Sequence, residues 1–265
     1  MLGSTMMRQF PQAFGTTRGG RHHERLLPRI NIRSLDDISK AFDWATPDVV
    51  LNCAGIVKSE CVHHPATVVS DINLKGPHRI AYRALSSGKC RVIHFSTDCV
   101  FSGAEGNYTE EYPADATDIY GSLKRHGELS IYANCVTLRA SFIGRDPIRG
   151  RGLLEWLLAQ SGPTVPGHAN AIWSGLSTTE LARITAKVID DTEMSGLYHV
   201  AGPRISKFEL LVLLTKAFNL PHLIEPQDEP RVDRSLDGSK IARRMNYSPP
   251  DWSTMAAELA EENRV

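Results

Sequence analysis

Short, nearly continuous apolar runs alternate along the chain with longer stretches whose apolar residues recur three and four positions apart. The run Asp48-Val49-Val50-Leu51-Asn52-Cys53-Ala54-Gly55 ends in small residues, as a strand buried on both faces of a parallel sheet would. Arg91 to Thr97, Cys135 to Arg139 and Gly196 to Ala201 repeat that pattern, and the helical period predicts helices over 34–45, 69–86, 119–133 and 178–190. Strand and helix alternating in this way predict an α/β fold with a doubly wound parallel sheet and right-handed crossovers. The segments 141–175 and 202–265 are richer in Pro and Gly, with helices of their own over 207–218 and 253–262. They are expected to form a small C-terminal substrate-binding lobe on a sheet domain made of 1–140 and 176–201. Ligands of such sheets bind beyond the carboxyl ends of the strands, so the residues following Gly55, Thr97 and Arg139 should line the cleft.

Charge and composition narrow the function. Thirty Lys and Arg balance 30 Asp and Glu, which leaves no basic field for nucleic acid or an anionic membrane. No apolar run approaches the about 20 residues of a membrane helix. The start at Met1 lacks the pattern of a secretory signal, and the five cysteines include no C-x-x-C pair, so a reduced, cytoplasmic setting is expected. The adjacent pairs His22-His23 and His63-His64 lack the spacing of a helical zinc site, and no metal is expected; they read as surface residues.

The candidate chemistry lies at Tyr120-Gly121-Ser122-Leu123-Lys124, which opens a predicted helix with phenol and ammonium one turn apart on one face. A lysine so placed favours the phenolate, pulling a pKa of about 10 towards neutrality for proton transfer with a carbonyl or alcohol. Ser96-Thr97-Asp98 follows a buried strand about two dozen residues upstream, where a hydroxyl could orient the same carbonyl.

Together with Asn52-Cys53-Ala54-Gly55, Ile72-Asn73-Leu74-Lys75-Gly76, the run from His94 to Gly103, the run from Asp118 to Glu128, Trp173 to Thr179 and Val232 to Asp237, these motifs resemble the extended short-chain dehydrogenases/reductases. Within them the likeness is to the dTDP-4-dehydrorhamnose reductase group, and it covers nearly the whole chain. The resemblance implies a Rossmann-like fold and reduction of a nucleotide-linked 4-keto-6-deoxysugar, as in deoxysugar and polysaccharide biosynthesis. It implies Tyr120 as general acid, Lys124 as its electrostatic partner and ribose ligand, and Thr97 as the carbonyl-orienting hydroxyl. Asn73 would position the lysine through its helix backbone, and Asn52, Ala54 and Gly55 would lie along the cofactor. Asp98 and Cys99 would face the substrate; Cys99 stands where the group carries tyrosine and is expected to be a small wall residue rather than a nucleophile.

A dinucleotide fold opens with an apolar strand and a glycine-rich turn. Met1 to Arg8 reads as the end of that motif, with Gly3 as its last glycine and 5–10 as the following helix. The first strand is therefore expected to be missing, which would leave a gap in the middle of the sheet. Thr17 and Arg18 close the next strand, and they suit a 2'-phosphate better than a 2'-hydroxyl, which favours NADPH over NADH.

For a sugar diphosphate the candidate cations are Arg139, Arg145, Arg149, Arg151, Arg231 and Arg234, with Arg234 preferred because it lies in a family-like segment. Trp173 would stack on base or sugar, or anchor the lobe to the core. A 4-epimerase would use the same Tyr and Lys. A 4,6-dehydratase is disfavoured because Asp98 is followed by Cys99 rather than Glu. The alternative of another class is a non-catalytic subunit on this fold, like the regulatory subunit of methionine adenosyltransferase. The resemblance also allows a homodimer by helix pairing.

Overall fold

The computed structural model describes residues 1–20, 23–146 and 148–262; His22 and the last three residues of the expected lobe lie outside them. Helix α1 (Leu2–Gln9) is followed by the short strands β1 (Gly15–Thr16) and β2 (Leu26–Leu27), which pair in parallel as a ladder of their own. Helix α2 (Leu35–Ala45) starts where the Ser34 side chain accepts a hydrogen bond from Asp37 N. Strands β3 (Val49–Asn52), β4 (Arg91–Ser96) and β5 (Cys135–Ala140) then assemble with β10 (Gly196–Val200) into a four-stranded, wholly parallel sheet of order β10-β5-β4-β3. Among the described residues, β3 has no strand on its other edge and the β1–β2 ladder is not hydrogen-bonded to the sheet.

The helical stretch expected over 69–86 runs from α3 (Ala66–Ser70) through a π-helical turn (Asp71–Lys75) into α4 (Gly76–Ser86). Pro77 has no N–H to give the Asn73 carbonyl four residues back, so the ladder cannot run through this turn as an ordinary α-helix. Helix α5 covers Ile119–His126, shorter than the predicted 119–133. It stops because Gly127 is pressed on the Asn73 carbonyl, where a Cβ would come within 2.1 Å of the oxygen.

The rest of the chain follows the same rules on a smaller scale. Strand β6 (Phe142–Ile143) pairs with β9 (Leu176–Ser177), β7 (Thr164–His168) with β12 (Leu223–Gln227), and β8 (Ala171–Trp173) lies between β11 (Ile205–Ser206) and β13 (Val232–Asp233). The helices are α6 (Leu153–Leu158), α7 (Thr178–Asp190), α8 (Lys207–Ala217), α9 (Ser239–Met245) and α10 (Trp252–Glu261). One apolar cluster joins the sheet to these segments: Ile93, Phe95, Val136 and Leu138 pack with Leu2 and Met6 of α1, Leu181 and Ile184 of α7, Leu210 of α8 and Trp252. Each such side chain buried in full contributes about 1.5–3 kcal/mol, so the expected division between sheet and lobe does not interrupt the core. Among the described residues no helix is long and apolar enough to cross a membrane.

The opposite sheet face changes character along the strands. Val92 and Cys135, near the strand starts, pack with Ile38, Phe42, Ile80 and Leu129. One pleat further on, Asn52, His94 and Thr137 lie in register across β3, β4 and β5, and then Ser96, Arg139 and His199 across β4, β5 and β10. Strands β4 and β5 are buried on both faces as expected, whereas Val49, Val50 and Leu51 of the edge strand β3 are only half-buried, and one face of the sheet is polar towards the carboxyl ends.

Candidate active site

Thr97 follows β4 and caps a 3-10 turn over Asp98–Val100, its hydroxyl accepting from Cys99 N at 3.2 Å and donating to Asp98 Oδ1 at 3.1 Å. The half-buried Tyr120 phenol lies near the same hydroxyl, which draws its pKa down. Gly121 makes this approach feasible, because a Cβ there would lie 2.1 Å from the Cys99 carbonyl oxygen and 2.6 Å from Ala116 Cβ. Asp118 fixes the start of α5 by accepting from Gly121 N at 3.0 Å. Thr97 and Tyr120, 23 positions apart in sequence, are thus brought together.

Lys124 is on the same helix, yet its buried Nζ donates to the Phe95 carbonyl at 2.7 Å. Burial lowers its pKa to about 8, against the pull of Glu128. The phenol moves opposite to the sequence-based expectation: burial, helped by Cys99 and Asp98, raises its pKa despite the Thr97 hydroxyl. Tyr120 is therefore held in its protonated form. The Cys99 thiol is likewise pushed up to about 12 by burial and by Asp98, which makes it a wall rather than a nucleophile.

Glu128, two residues beyond α5, receives Arg139 Nε and Nη2 at 2.7 and 2.9 Å and Ser96 Oγ at 2.8 Å. Arg139 continues to His199 Nε2 at 3.2 Å, and His199 Nδ1 to the Tyr108 carbonyl at 2.9 Å. Phe101 lies under the Arg139 guanidinium, 5.1 Å from ring centroid to Cζ, and stacks on Tyr108 at 4.1 Å. Arg139 is thus committed beneath the site and is no diphosphate ligand. Sequence reasoning missed Glu128 and His199; the only signal was their place in strand and helix motifs on facing elements.

At the end of β3, Asn52 Nδ2 donates to His94 Nδ1 at 3.0 Å while its Oδ1 accepts from Ala54 N at 3.2 Å. Asn73 clamps both the N–H and the carbonyl of Ile56 at 2.8 Å each. Its side chain therefore shapes the Ala54-Gly55-Ile56 turn, and its backbone meets Gly127 rather than Lys124 itself. Ala54 and Gly55 are exposed. Gly3 lies near Cys53, where a Cβ would meet the Cys53 Cβ at an ordinary 3.7 Å, so no close approach demands glycine. Thr17 and Arg18 stand apart from this group at the end of β1; Thr17 Oγ1 accepts from Gly19 N at 3.2 Å and Arg18 is exposed.

The other candidates are largely committed elsewhere. Trp173 is only 4% exposed and packs on Trp252 with ring centroids 5.1 Å apart. That corrects the stacking expectation in favour of an anchor between lobe and core. Arg234 donates to the carbonyls of Phe101 and Ser102 at 3.1 and 2.9 Å, Arg145 pairs with Glu155 at 2.7 Å, Arg151 with Asp146 at 3.4 Å, and Arg231 with Glu229 at 3.5 Å.

The sequence profile of the RmlD substrate binding domain family matches residues 1–264. Methionine adenosyltransferase 2 subunit beta of Danio rerio is 24% identical over 217 residues, 76% of this chain and 66% of that protein. The dTDP-4-dehydrorhamnose reductase of Salmonella typhimurium is 25% identical over 281 residues, covering 89% of this chain and 91% of that one. The crystal structure of dTDP-4-dehydrorhamnose reductase from Bacillus anthracis in complex with NADP superposes with a TM-score of 0.81 at 20% identity, over 95% of this chain and 99% of that one. That likeness is one of fold.

Proposed function

The chain belongs to the RmlD substrate binding domain family, and from that premise we propose that it is an NADPH-dependent reductase of a nucleotide-linked 4-keto-6-deoxysugar. The observation that carries the reading is the protonated Tyr120 phenol brought beside the Thr97 hydroxyl at the carboxyl end of β4. The residues fit a dinucleotide: Asn52 and Asn73 hold the exposed Ala54-Gly55 backbone open. At the far end the Arg18 guanidinium has no hydrogen bond or ion pair among the described residues, which leaves it free for a 2'-phosphate. When bound, the reduced nicotinamide supplies the hydride. Thr97 orients the carbonyl, and Tyr120 gives its phenolic proton to the oxygen as negative charge develops there. Burial keeps the phenol protonated until that moment, and the Lys124 charge favours the phenolate left behind.

A non-catalytic role is the second reading. Its support is the similarity to a methionine adenosyltransferase subunit together with Lys124 being bonded to Phe95 rather than to the phenol. The two readings part on one assay: oxidation of NADPH and of NADH with a dTDP-4-dehydro-6-deoxyhexose, in the wild type and in Tyr120→Phe. The reductase reading expects turnover with NADPH preferred, falling about 10²–10⁴-fold in the variant as a general acid is lost. Cofactor binding without turnover, or turnover indifferent to Tyr120, would sink it.

A further inference from the structure

Three cations act on the Cys99 thiol beside Thr97: Lys58, Arg234 and Lys207. Lys58 is paired with Asp118 at 2.7 Å, and Arg234 is held by the Phe101 and Ser102 carbonyls. Lys207 is the exception. Its Nζ sits 3.6 Å from the centroid of the Trp173 ring, and among the described residues it makes no hydrogen bond and no ion pair.

Such a position opposes the ammonium in two ways. Lys207 is the first residue of α8, at the positive end of the helix dipole, where a cation is disfavoured. Burial also works against its charge, drawing the pKa down to about 8, with only Asp98 and Cys99 pulling the other way. Glu209, the one carboxylate in the first turn of α8, is occupied by the backbone N–H and hydroxyl of Ser206, at 2.9 Å each. The Trp173 face returns some cation–π attraction, but a ring supplies no hydrogen-bond acceptor for three N–H groups.

We infer that Lys207 is the anion-reading residue of this cleft, its ammonium reserved for an anionic oxygen of the substrate on the lobe side of Thr97 and Tyr120. The inference rests on the sugar-nucleotide reading above. The anionic oxygen belongs either to the diphosphate of the nucleotide or to a carboxylate on the sugar. Both offer the acceptor lone pairs that the other two cations already receive from the protein, and the negative charge that Lys58 finds in Asp118.

The test is calorimetric titration of the full chain and of its Lys207→Met and Lys207→Arg variants with dTDP, UDP, UDP-glucose, UDP-glucuronate, thymidine and uridine, alongside thermal melts. Methionine keeps an aliphatic stem over Trp173 and removes only the charge. Loss of a charge-assisted hydrogen bond should weaken dTDP and UDP about 10-fold or more, leave the nucleosides unchanged, and be largely restored by arginine. A loss confined to UDP-glucuronate assigns the oxygen to a sugar carboxylate instead, with the same residue reading it. The melting temperature of Lys207→Met should equal or exceed that of the wild type, because an unanswered cation at a helix start has been removed. A merely structural lysine would lower it. Wild-type nucleotide affinity that survives in Lys207→Met overturns the inference and leaves the reductase reading standing. A wild type that binds NADPH but none of the nucleotides overturns both.

Discussion

The surroundings of Tyr120 and of Arg18 are built differently. Under Tyr120 the polar groups answer one another: Glu128 and Arg139 are 8% and 5% exposed, and Ser96 and His199 complete their hydrogen bonds. At the Thr17–Arg18 end, a two-residue ladder is followed by an exposed arginine with no hydrogen bond or ion pair among the described residues. Groups that must meet a developing charge work best when fixed beforehand. A group that closes on the outer phosphate of a cofactor can be ordered by the ligand itself. Side chains hold one another beneath Tyr120 and are left to solvent around Arg18.

The sharpest way to break that contrast is to open the buried pair. Glu128→Ala leaves the Arg139 guanidinium buried against Phe101 with only His199 beside it, and a buried pair broken from one side costs about 3–5 kcal/mol. Urea denaturation should show that loss. The equivalent change in the half-exposed Lys58–Asp118 pair, Lys58→Ala, should cost under about 1 kcal/mol, since 47% and 37% exposure leaves both groups solvated. Equal losses would mean that burial does not separate the two regions.

Acid should attack the same polar layer. Burial, with Arg139 next and Lys240 beyond it, lowers the His199 pKa to about 3, against the Tyr108 carbonyl and Asp237; burial, with Lys124 and His78, lowers that of His94. Both imidazoles are neutral in the folded protein at pH 7. Their contribution is fully present above the unfolded pKa of about 6.5 and is lost as pH falls, because the unfolded chain takes up protons that the folded one refuses. Each adds a slope of up to about 1.4 kcal/mol per pH unit, for His199 continuing down to about 3. Denaturation at pH 7.5, 6 and 5 should show the decline, and His199→Gln should flatten it. A slope unchanged in that variant would remove His199 from the account.

At the open end the effects are smaller and concern ligand rather than fold. Arg18→Ala should weaken NADPH about 10-fold, the loss expected of one charged hydrogen bond, with NADH binding and the melting temperature unmoved. A fall in both cofactors alike would place Arg18 on the shared diphosphate instead of the 2'-phosphate.

Much of this molecule is legible in its sequence because much of it is local. The four main strands follow from apolar runs, and α7 from the three-and-four spacing of Leu181, Ile184 and Val188. Tyr120 and Thr97 could be named because each sits in a motif at an element boundary. What stayed hidden depends on partners far along the chain. The direction of Lys124 is set by Phe95, the commitment of Arg139 by Glu128, and the burial of Trp173 by Trp252. Lys207 carried no sequence signal at all, since a lysine opening a helix looks like surface until its carboxylates are accounted for. The shortened α5 belongs here too: Gly127, inside the predicted helix, is the contact point with the π-helical turn.

The finest test of the contrast uses one motif placed twice. Ser34 caps α2 by accepting from Asp37 N at 3.1 Å, and Ser177 caps α7 by accepting from Glu180 N at 3.0 Å. Their chemistry and geometry match, but Ser34 is half-buried near the open end whereas Ser177 is 0% exposed beneath the lobe. In Ser34→Ala, water can replace the lost acceptor, and the cost should be about 0.5–1 kcal/mol. In Ser177→Ala, the Glu180 N–H has no water to turn to, so the desolvation penalty of an orphaned donor is added and the cost should rise to about 1–3 kcal/mol. Chemical denaturation of the two variants side by side measures the difference. If Ser177→Ala costs no more than Ser34→Ala, then the interior at α7 admits water, and the division between a sealed catalytic end and an open rim is weaker than the burial of these side chains implies.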